Sequence, residues 1–245
     1  MKTILVTGGS GFIGRNLCKR LTGSAEKIIV LSRNPVNAAK VLPQSVEIIS
    51  DLVQLNQSVD ILVNLAGEPI ADKRWSEKRK ATITQSRIQT TQALYQYFKQ
   101  ADKPPSVVIS GSAIGYYGGG TANNQPVTEE GAVEPNYSSK LCADWENTAQ
   151  QFGQLGARVC LLRTGIVLGE QGALSKLLPA FKLGLGGPIA SGKQWMPWIH
   201  IDDMVEIIAY AIQNDLSGPI NCTAPNPVTN REFAKTLGKA LRRPA

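Results

Sequence analysis

The sequence predicts an α/β fold: a doubly wound parallel sheet carrying a smaller substrate lobe that is truncated at its C-terminal end. Three observations carry that expectation. Short runs rich in leucine and β-branched residues alternate with helix-like segments as far as Leu168, the pattern of a parallel sheet covered by helices on both faces. A glycine-rich stretch, Gly8 to Gly14, lies between the first such run and the first helix-like segment. Beyond Leu168 the texture changes, because residues 172–197 are rich in glycine, carry a Gly-Pro step and show no repeat.

Taken in order, strands are expected at 3–7, 28–32, 46–49, 61–64, 107–110 and 159–163, with a late one near 219–222 returning to the sheet. Their compact apolar content suits strands buried on both faces. Helices are expected at 13–21, 81–100 and 138–152, then at 202–213 behind an acidic turn. A last one is expected at 229–241 with Thr229 or Asn230 as its cap. This places a nucleotide-binding domain at residues 1–168 and mostly substrate-lobe segments at 169–245. The sequence ends at Arg242-Arg243-Pro244-Ala245, directly after a helix, and reads as cut there.

The bulk properties exclude several classes. With 245 residues, 42% hydrophobic and 18% charged, the chain has the composition of an ordinary globule. No stretch reaches the ~20 apolar residues of a membrane span, and the N-terminus lacks the features of a signal peptide. A cytoplasmic location without a membrane partner follows as the expectation. Cys18, Cys142, Cys160 and Cys222 have no paired spacing, so buried reduced thiols are expected, and no metal site. The net charge of +7 has one local cluster, at Lys73, Arg74, Lys78, Arg79 and Lys80. No nucleic-acid-binding signature accompanies it, so it reads as a solvated helix face and no nucleic-acid partner is expected.

The stretch Thr7-Gly8-Gly9-Ser10-Gly11-Phe12-Ile13-Gly14 follows a strand and opens a helix, which is the dinucleotide fingerprint of a Rossmann-type fold. Glycines allow the tight turn and close backbone approach to a pyrophosphate, and the helix N-terminus favours its negative charge. Gly8, Gly11, Phe12, Ile13 and Gly14 are therefore cofactor-binding candidates. An NAD enzyme presents an acid at the end of the second strand to bind the adenosine ribose. Here that strand ends Val30-Leu31-Ser32-Arg33-Asn34, with no acid. Ser32 and Arg33 fit a ribose 2′-phosphate, which a guanidinium holds by charge-assisted hydrogen bonds. NADP(H) is the expected cofactor.

The chain resembles the extended, atypical short-chain dehydrogenase/reductases of the NAD-dependent epimerase/dehydratase superfamily, and within them the YfcH-like, epimerase-related family. The segments that carry the resemblance are Asn64-Leu65-Ala66-Gly67-Glu68-Pro69-Ile70 with Trp75, Ser86-Arg87, Ser110-Gly111-Ser112-Ala113-Ile114-Gly115-Tyr116-Tyr117-Gly118, Lys140-Leu141-Cys142-Ala143 with Trp145-Glu146, residues 183–189, and Trp198-Ile199-His200-Ile201-Asp202-Asp203. The resemblance implies that Leu65, Ala66 and Gly67 line the adenosine side and that Arg87 contacts a phosphate or ribose. It implies Val167 near the nicotinamide, and a further C-terminal segment beyond Ala245.

The same resemblance raises a question of catalysis. Such enzymes normally place a tyrosine four residues before a lysine on one helix, where the ammonium helps the phenol to transfer protons. With Lys140 at the lysine position, the residue four before it is Asn136, and Tyr137 is three before. Three readings stay open: Tyr137 acts with a one-residue adjustment, Tyr116 or Tyr117 takes over beside Ser112, or the usual chemistry is lost. Ser112 holds the usual serine position in each. His200, the only histidine, is expected to be a hydrogen-bonded structural residue, with Asp202 and Asp203 capping the next helix. Trp75, Trp195 and Trp198 are candidate pocket walls, and Lys193 a candidate phosphate contact. The expected function is an NADP(H)-dependent oxidoreductase or epimerase acting on a small polar molecule, a nucleotide sugar by analogy, with a homodimer as the expected assembly. The competing reading is a non-catalytic NADP(H)-binding sensor.

Overall fold

The structure, a computed structural model, describes residues 2–24, 27–70, 73–118 and 127–245. Its strands are β1 (Thr3–Thr7), β2 (Lys27–Leu31), β3 (Glu47–Ile49), β4 (Ile61–Asn64), β5 (Val107–Ala113), β6 (Arg158–Thr164), β7 (Ile166–Leu168), β8 (Trp195–Met196), β9 (Trp198–His200), β10 (Gly218–Cys222) and β11 (Val228–Thr229). Its helices are α1 (Phe12–Leu21), α2 (Pro35–Ala39), α3 (Glu77–Lys99), α4 (Tyr137–Gln150), α5 (Ala173–Lys182), α6 (Ile201–Gln213) and α7 (Asn230–Leu241). Seven strands make one sheet in the order β10-β6-β5-β4-β1-β2-β3, and every pairing in it is parallel.

Strand alternation divides the core into two layers. Ile4, Val6, Ile28, Val30, Ile61, Val63, Ile109 and Leu162 pack with Leu17 and Cys18 of α1 and with Met204, Val205 and Ile208 of α6. Leu5, Ile29, Leu62 and Val108 face the other way, onto Leu94, Tyr95 and Phe98 of α3 and onto Phe152. The chain order reverses between β1 and β4, which opens a crevice at their carboxyl ends. In open α/β sheets that crevice is where ligands bind.

The short elements α2, β7, β8, β9 and β11 are not expected from the sequence, and three longer helices depart from the expectation for local reasons. Helix α3 starts at Glu77, four residues earlier than expected, because Ser76 caps it by accepting from Arg79 N, and Glu77 offsets the cations that crowd the first turn. The glycine-rich segment holds α5, whose helical pattern Pro179 interrupts. Helix α6 is capped by His200, whose Nδ1 accepts from the Asp202 N–H at 3.3 Å, while Asp202 and Asp203 occupy the first turn. Thr229 caps α7 in a capping box with Glu232. All four cysteines are free and buried. Among the described residues no helix is long and apolar enough to cross a membrane.

Candidate functional site

The crevice between β1 and β4 is shaped by what its glycines leave out. Gly8 has a φ of +68°, and a Cβ there would stand 2.5 Å from the Leu65 carbonyl oxygen. A Cβ at Gly14 would run into the Gly8 carbonyl, so α1 rests directly on the turn. The Gly11 N–H donates to Gly8 O at 3.0 Å and closes the turn. Gly11 then serves as N-cap of α1 with no side-chain hydrogen bond, and no acid sits in the first turn. The N–H groups at the start of this helix thus keep their partial positive charge for an external anion. Phe12 and Ile13, partly buried, lean on the core beneath.

The far wall comes from the ends of β4 and α3. Thr7 Oγ1 donates to Asn64 Oδ1 at 2.6 Å, and Asn64 Nδ2 donates to Thr91 Oγ1 at 2.8 Å. Leu65 N donates to Thr7 O at 3.1 Å, which carries the β1–β4 pairing on to Leu65, Ala66 and Gly67. The buried stripe of α3 is apolar at its C-terminal half, with Leu94, Tyr95 and Phe98. At the half beside the crevice it carries Arg79, Arg87 and Thr91.

Arg87 is 9% exposed. Its Nη1 donates to Ile83 O at 3.1 Å, and its guanidinium lies 5.2 Å from the Trp145 ring centroid. A Cβ on Gly67 would stand 3.0 Å from its Cζ, so glycine is what lets the cation come this close to the chain after β4. Burial pulls the Arg87 pKa below its ordinary value, and among the described residues no carboxylate forms an ion pair with it. A buried cation in that position invites an anionic ligand.

At the outer lip, Arg33 is 91% exposed and its Nη2 lies 3.9 Å from Glu68 Oε2. Arg79 holds the other oxygen of Glu68 at 2.9 Å and also donates to Pro69 O. Ser32 N donates to Ile49 O at 2.9 Å, and the Ser32 hydroxyl accepts from Asn34 N.

Deeper in, a buried polar network occupies the ends of β5 and β6. Ser112 and Arg163 are register partners on adjacent strands, so their side chains share one face. Glu146 lies on the buried stripe of α4 beneath them. Ser112 Oγ donates to Glu146 Oε1 at 2.6 Å, while Arg163 Nε and Nη2 donate to the two carboxylate oxygens at 2.9 Å each. Arg163 Nη1 donates to the Tyr117 hydroxyl at 2.8 Å, and that hydroxyl donates to Asn221 Oδ1 at 2.6 Å. The Tyr116 ring centroid lies 3.4 Å from the Arg163 Cζ. Burial opposes the Arg163 charge, but the hydrogen bonds to Glu146 and Tyr117 outweigh it and hold the pKa above its ordinary value. Among the described residues the Tyr116 hydroxyl has no hydrogen-bond partner.

The structure therefore brings Ser112, Tyr116 and Tyr117 together and leaves Tyr137 and Lys140 elsewhere. Asn136 is the N-cap of α4, accepting from Ser139 N at 3.0 Å while the Ser139 hydroxyl accepts from Asn136 N. The Tyr137 hydroxyl donates to Lys80 O at 2.9 Å and lies 3.2 Å from Thr84 Oγ1, with its ring edge-on to Trp75. Lys140 turns outward to Asp144 at 2.7 Å and is 77% exposed. Val167 lies in the short β7–β9 pair, opposite Ile199. Trp75 and Trp195 are each partly exposed, and Lys193 lies on the surface.

Sequence reasoning singled out neither Glu146 and Arg163 nor Glu68 as site residues. A charge closing the apolar run Val159-Cys160-Leu161-Leu162-Arg163 was the available signal for the first pair. Among the described residues no cluster of histidine, cysteine and carboxylate side chains could hold a metal ion.

The model of the NAD dependent epimerase/dehydratase family matches residues 4–222. The epimerase family protein YfhF of Bacillus subtilis is 36% identical over 246 residues, which cover 98% of this chain and 80% of that protein. The crystal structure of the human epimerase family protein SDR39U1 with NADPH superposes with a TM-score of 0.88 at 35% identity, over 99% of this chain and 81% of that one. The nucleoside-diphosphate sugar epimerase of Corynebacterium glutamicum gives a TM-score of 0.80 at 31% identity, over 98% of this chain and 51% of that one.

Proposed function

This chain belongs to the NAD dependent epimerase/dehydratase family, and we propose that it binds NADP(H) and exchanges hydride with a small polar substrate, in the first instance a nucleotide sugar. One observation carries the reading: the turn Gly8–Gly14 closes against Leu65, and directly behind Gly67 stands the buried Arg87, which has no ion-pair partner among the described residues. Such a crevice suits a dinucleotide, and the human relative was solved with NADPH.

In this assignment the backbone of Gly8, Gly11, Phe12, Ile13 and Gly14 holds the pyrophosphate, with Arg87 adding charge from the far wall. Ser32 and Arg33 take the adenosine ribose and its 2′-phosphate, Leu65, Ala66 and Gly67 line the adenosine side, and Val167 borders the nicotinamide. When bound, the nicotinamide supplies the hydride chemistry. Residues 1–168 form the nucleotide-binding part, and 169–245 supply most of the substrate side apart from β10. Among the candidate tyrosines, Tyr117 and Tyr137 have committed hydroxyls, whereas that of Tyr116 has no partner among the described residues. Tyr116 is accordingly the proton-handling group. Ser112, its own hydrogen given to Glu146, is oriented to accept from a substrate hydroxyl.

A second reading, a non-catalytic NADP(H) sensor, is favoured by Asn136 capping α4 where the acid/base tyrosine is usual, and by Lys140 facing solvent. One sequence of measurements separates the two. Saturation with NADPH at ~100 times its dissociation constant adds about 2.7 kcal/mol of stability, which raises the melting temperature by roughly 5–10 °C in a chain of this size. Absence of that shift removes both readings. Incubation with NADP(H) and a panel of carbonyl compounds and nucleotide sugars, followed at 340 nm and by product analysis, then decides. Turnover on any member supports the enzyme, and tight binding with none supports the sensor.

A further inference from the structure

We propose that Glu68 sets how strongly this site prefers a 2′-phosphate to a 2′-hydroxyl on the adenosine ribose, an inference that rests on the NADP(H) reading above. The end of β2 carries Ser32-Arg33-Asn34 and no acid, so Arg33 alone would make the site strongly selective for the phosphate. The fold supplies the missing acid from another strand. Glu68, just beyond β4, places Oε2 3.9 Å from Arg33 Nη2. The two residues meet because β2 and β4 flank β1 on either side.

Only one partner of this pair is fixed. Glu68 is tied by Arg79, which is 8% exposed and donates to Oε1 at 2.9 Å, and by its own N–H, which donates to Ser86 Oγ at 2.9 Å. Arg33 is 91% exposed, and this carboxylate is its one ion-pair partner among the described residues. Arg33 can therefore swing toward a phosphate, but the carboxylate stays. A 2′-phosphate, with its double negative charge, is attracted by Arg33 and repelled by Glu68. A 2′-hydroxyl finds in Glu68 an acceptor it can donate to. The same carboxylate thus weakens binding of one nucleotide and strengthens that of the other. Arg79 moderates its charge from the buried side without removing it.

The test is the ratio of dissociation constants for NADH and NADPH, measured by fluorescence titration at ~0.15 M salt for the parent, Glu68→Gln and Glu68→Asp. Glutamine keeps an oxygen for Arg79 and removes the charge. The ratio should shift toward NADPH by about fivefold, the effect of one charge at about 4 Å in a wet site. Glu68→Asp, whose charge recedes by one methylene, should shift it the same way by less. Reading a ratio cancels any general loss of affinity, and melting without nucleotide confirms that each variant is folded. If the parent binds both nucleotides and neither variant moves the ratio beyond twofold toward NADPH, the role of Glu68 is overturned while NADP(H) binding stands. If the parent binds neither nucleotide, the binding reading fails and this inference with it.

Discussion

Ser112 donates its hydroxyl hydrogen to Glu146 Oε1 at 2.6 Å, and that carboxylate is clamped from the other side by two guanidinium hydrogens of Arg163. The hydroxyl at the position usual for the catalytic serine is thereby oriented by the protein before any ligand arrives. Its hydrogen points down into the fold, and only its lone pairs remain for the crevice. Ser112 therefore offers an acceptor to a substrate hydroxyl, and the donor to a substrate carbonyl falls to Tyr116 in the assignment above.

Breaking this clamp is expected to unfold the protein earlier. Glu146 and Arg163 side chains are each 4% exposed, and removing one partner of such a buried pair leaves an uncompensated charge, at a cost of about 3–5 kcal/mol. Glu146→Leu or Arg163→Met should lower the melting temperature by roughly 6–20 °C. The double variant should lose less than the sum of the two, and Ser112→Ala only about 1–3 kcal/mol. A fully additive double-mutant cycle would show that the pair does not act as a unit.

Arg33 and Arg87 should separate by which part of the nucleotide they read. Arg33→Gln is expected to weaken NADPH about tenfold to a hundredfold, the value of one charge-assisted hydrogen bond, and to leave NADH nearly unchanged. Arg87→Leu should weaken both nucleotides by similar factors, because in the assignment above Arg87 adds its charge to the pyrophosphate, which NADPH and NADH share. Titration of the two variants with both nucleotides checks this. Equal losses of NADPH and NADH in Arg33→Gln would remove Arg33 from the 2′ site.

Burial raises the thiol pKa of Cys18 and Cys222 to about 12 and that of Cys142 to about 11. A thiol raised in the folded state stays protonated there while its unfolded counterpart ionises first. The stability it supports is full below about pH 9 and is lost as pH climbs toward the folded values. Each thiol should steepen the alkaline loss by up to roughly 1.4 kcal/mol per pH unit in that window. Lysines and tyrosines titrate nearby, so the readout is a comparison of the parent with Cys222→Ala. The variant should show a shallower fall in denaturant midpoint between pH 9 and 11, and identical slopes would refute the assignment.

How far the sequence revealed all this depends on how local each signal was. The Gly8–Gly14 turn and the strands beside it are written in consecutive residues, because glycine content and β-branched runs act within a few positions. The Thr229 cap and its partner Glu232 are three apart and equally legible. Glu146 and Arg163 lie 17 residues apart and meet only because α4 packs its buried stripe against the end of β6. Glu68 and Arg33 meet only because β1 separates their strands. The start of α3 was hidden by its cations, which oppose the helix dipole until Ser76 and Glu77 are counted. At α4, the spacing of Tyr137 and Lys140 left several readings open. What the pattern held was a cap: Asn136 with Ser139 three residues on, the signature of a helix start.

That cap bears on the last expectation, which concerns the proton-handling residue. Tyr116→Phe removes a hydroxyl that has no partner among the described residues and leaves the ring on Arg163, so folding and NADPH affinity should stay within twofold of the parent. If the protein turns over a substrate, kcat should fall about a hundredfold or more, within the range general acid–base groups contribute. Lys140→Ala deletes an exposed i,i+4 pair worth about 0.3–0.5 kcal/mol and should change neither turnover nor binding. Asn136→Tyr, which rebuilds the usual spacing, should not raise activity, since Lys140 faces solvent, and should cost about 1 kcal/mol through the lost cap. Full activity in Tyr116→Phe together with loss in Lys140→Ala would reverse the assignment and return the chemistry to α4.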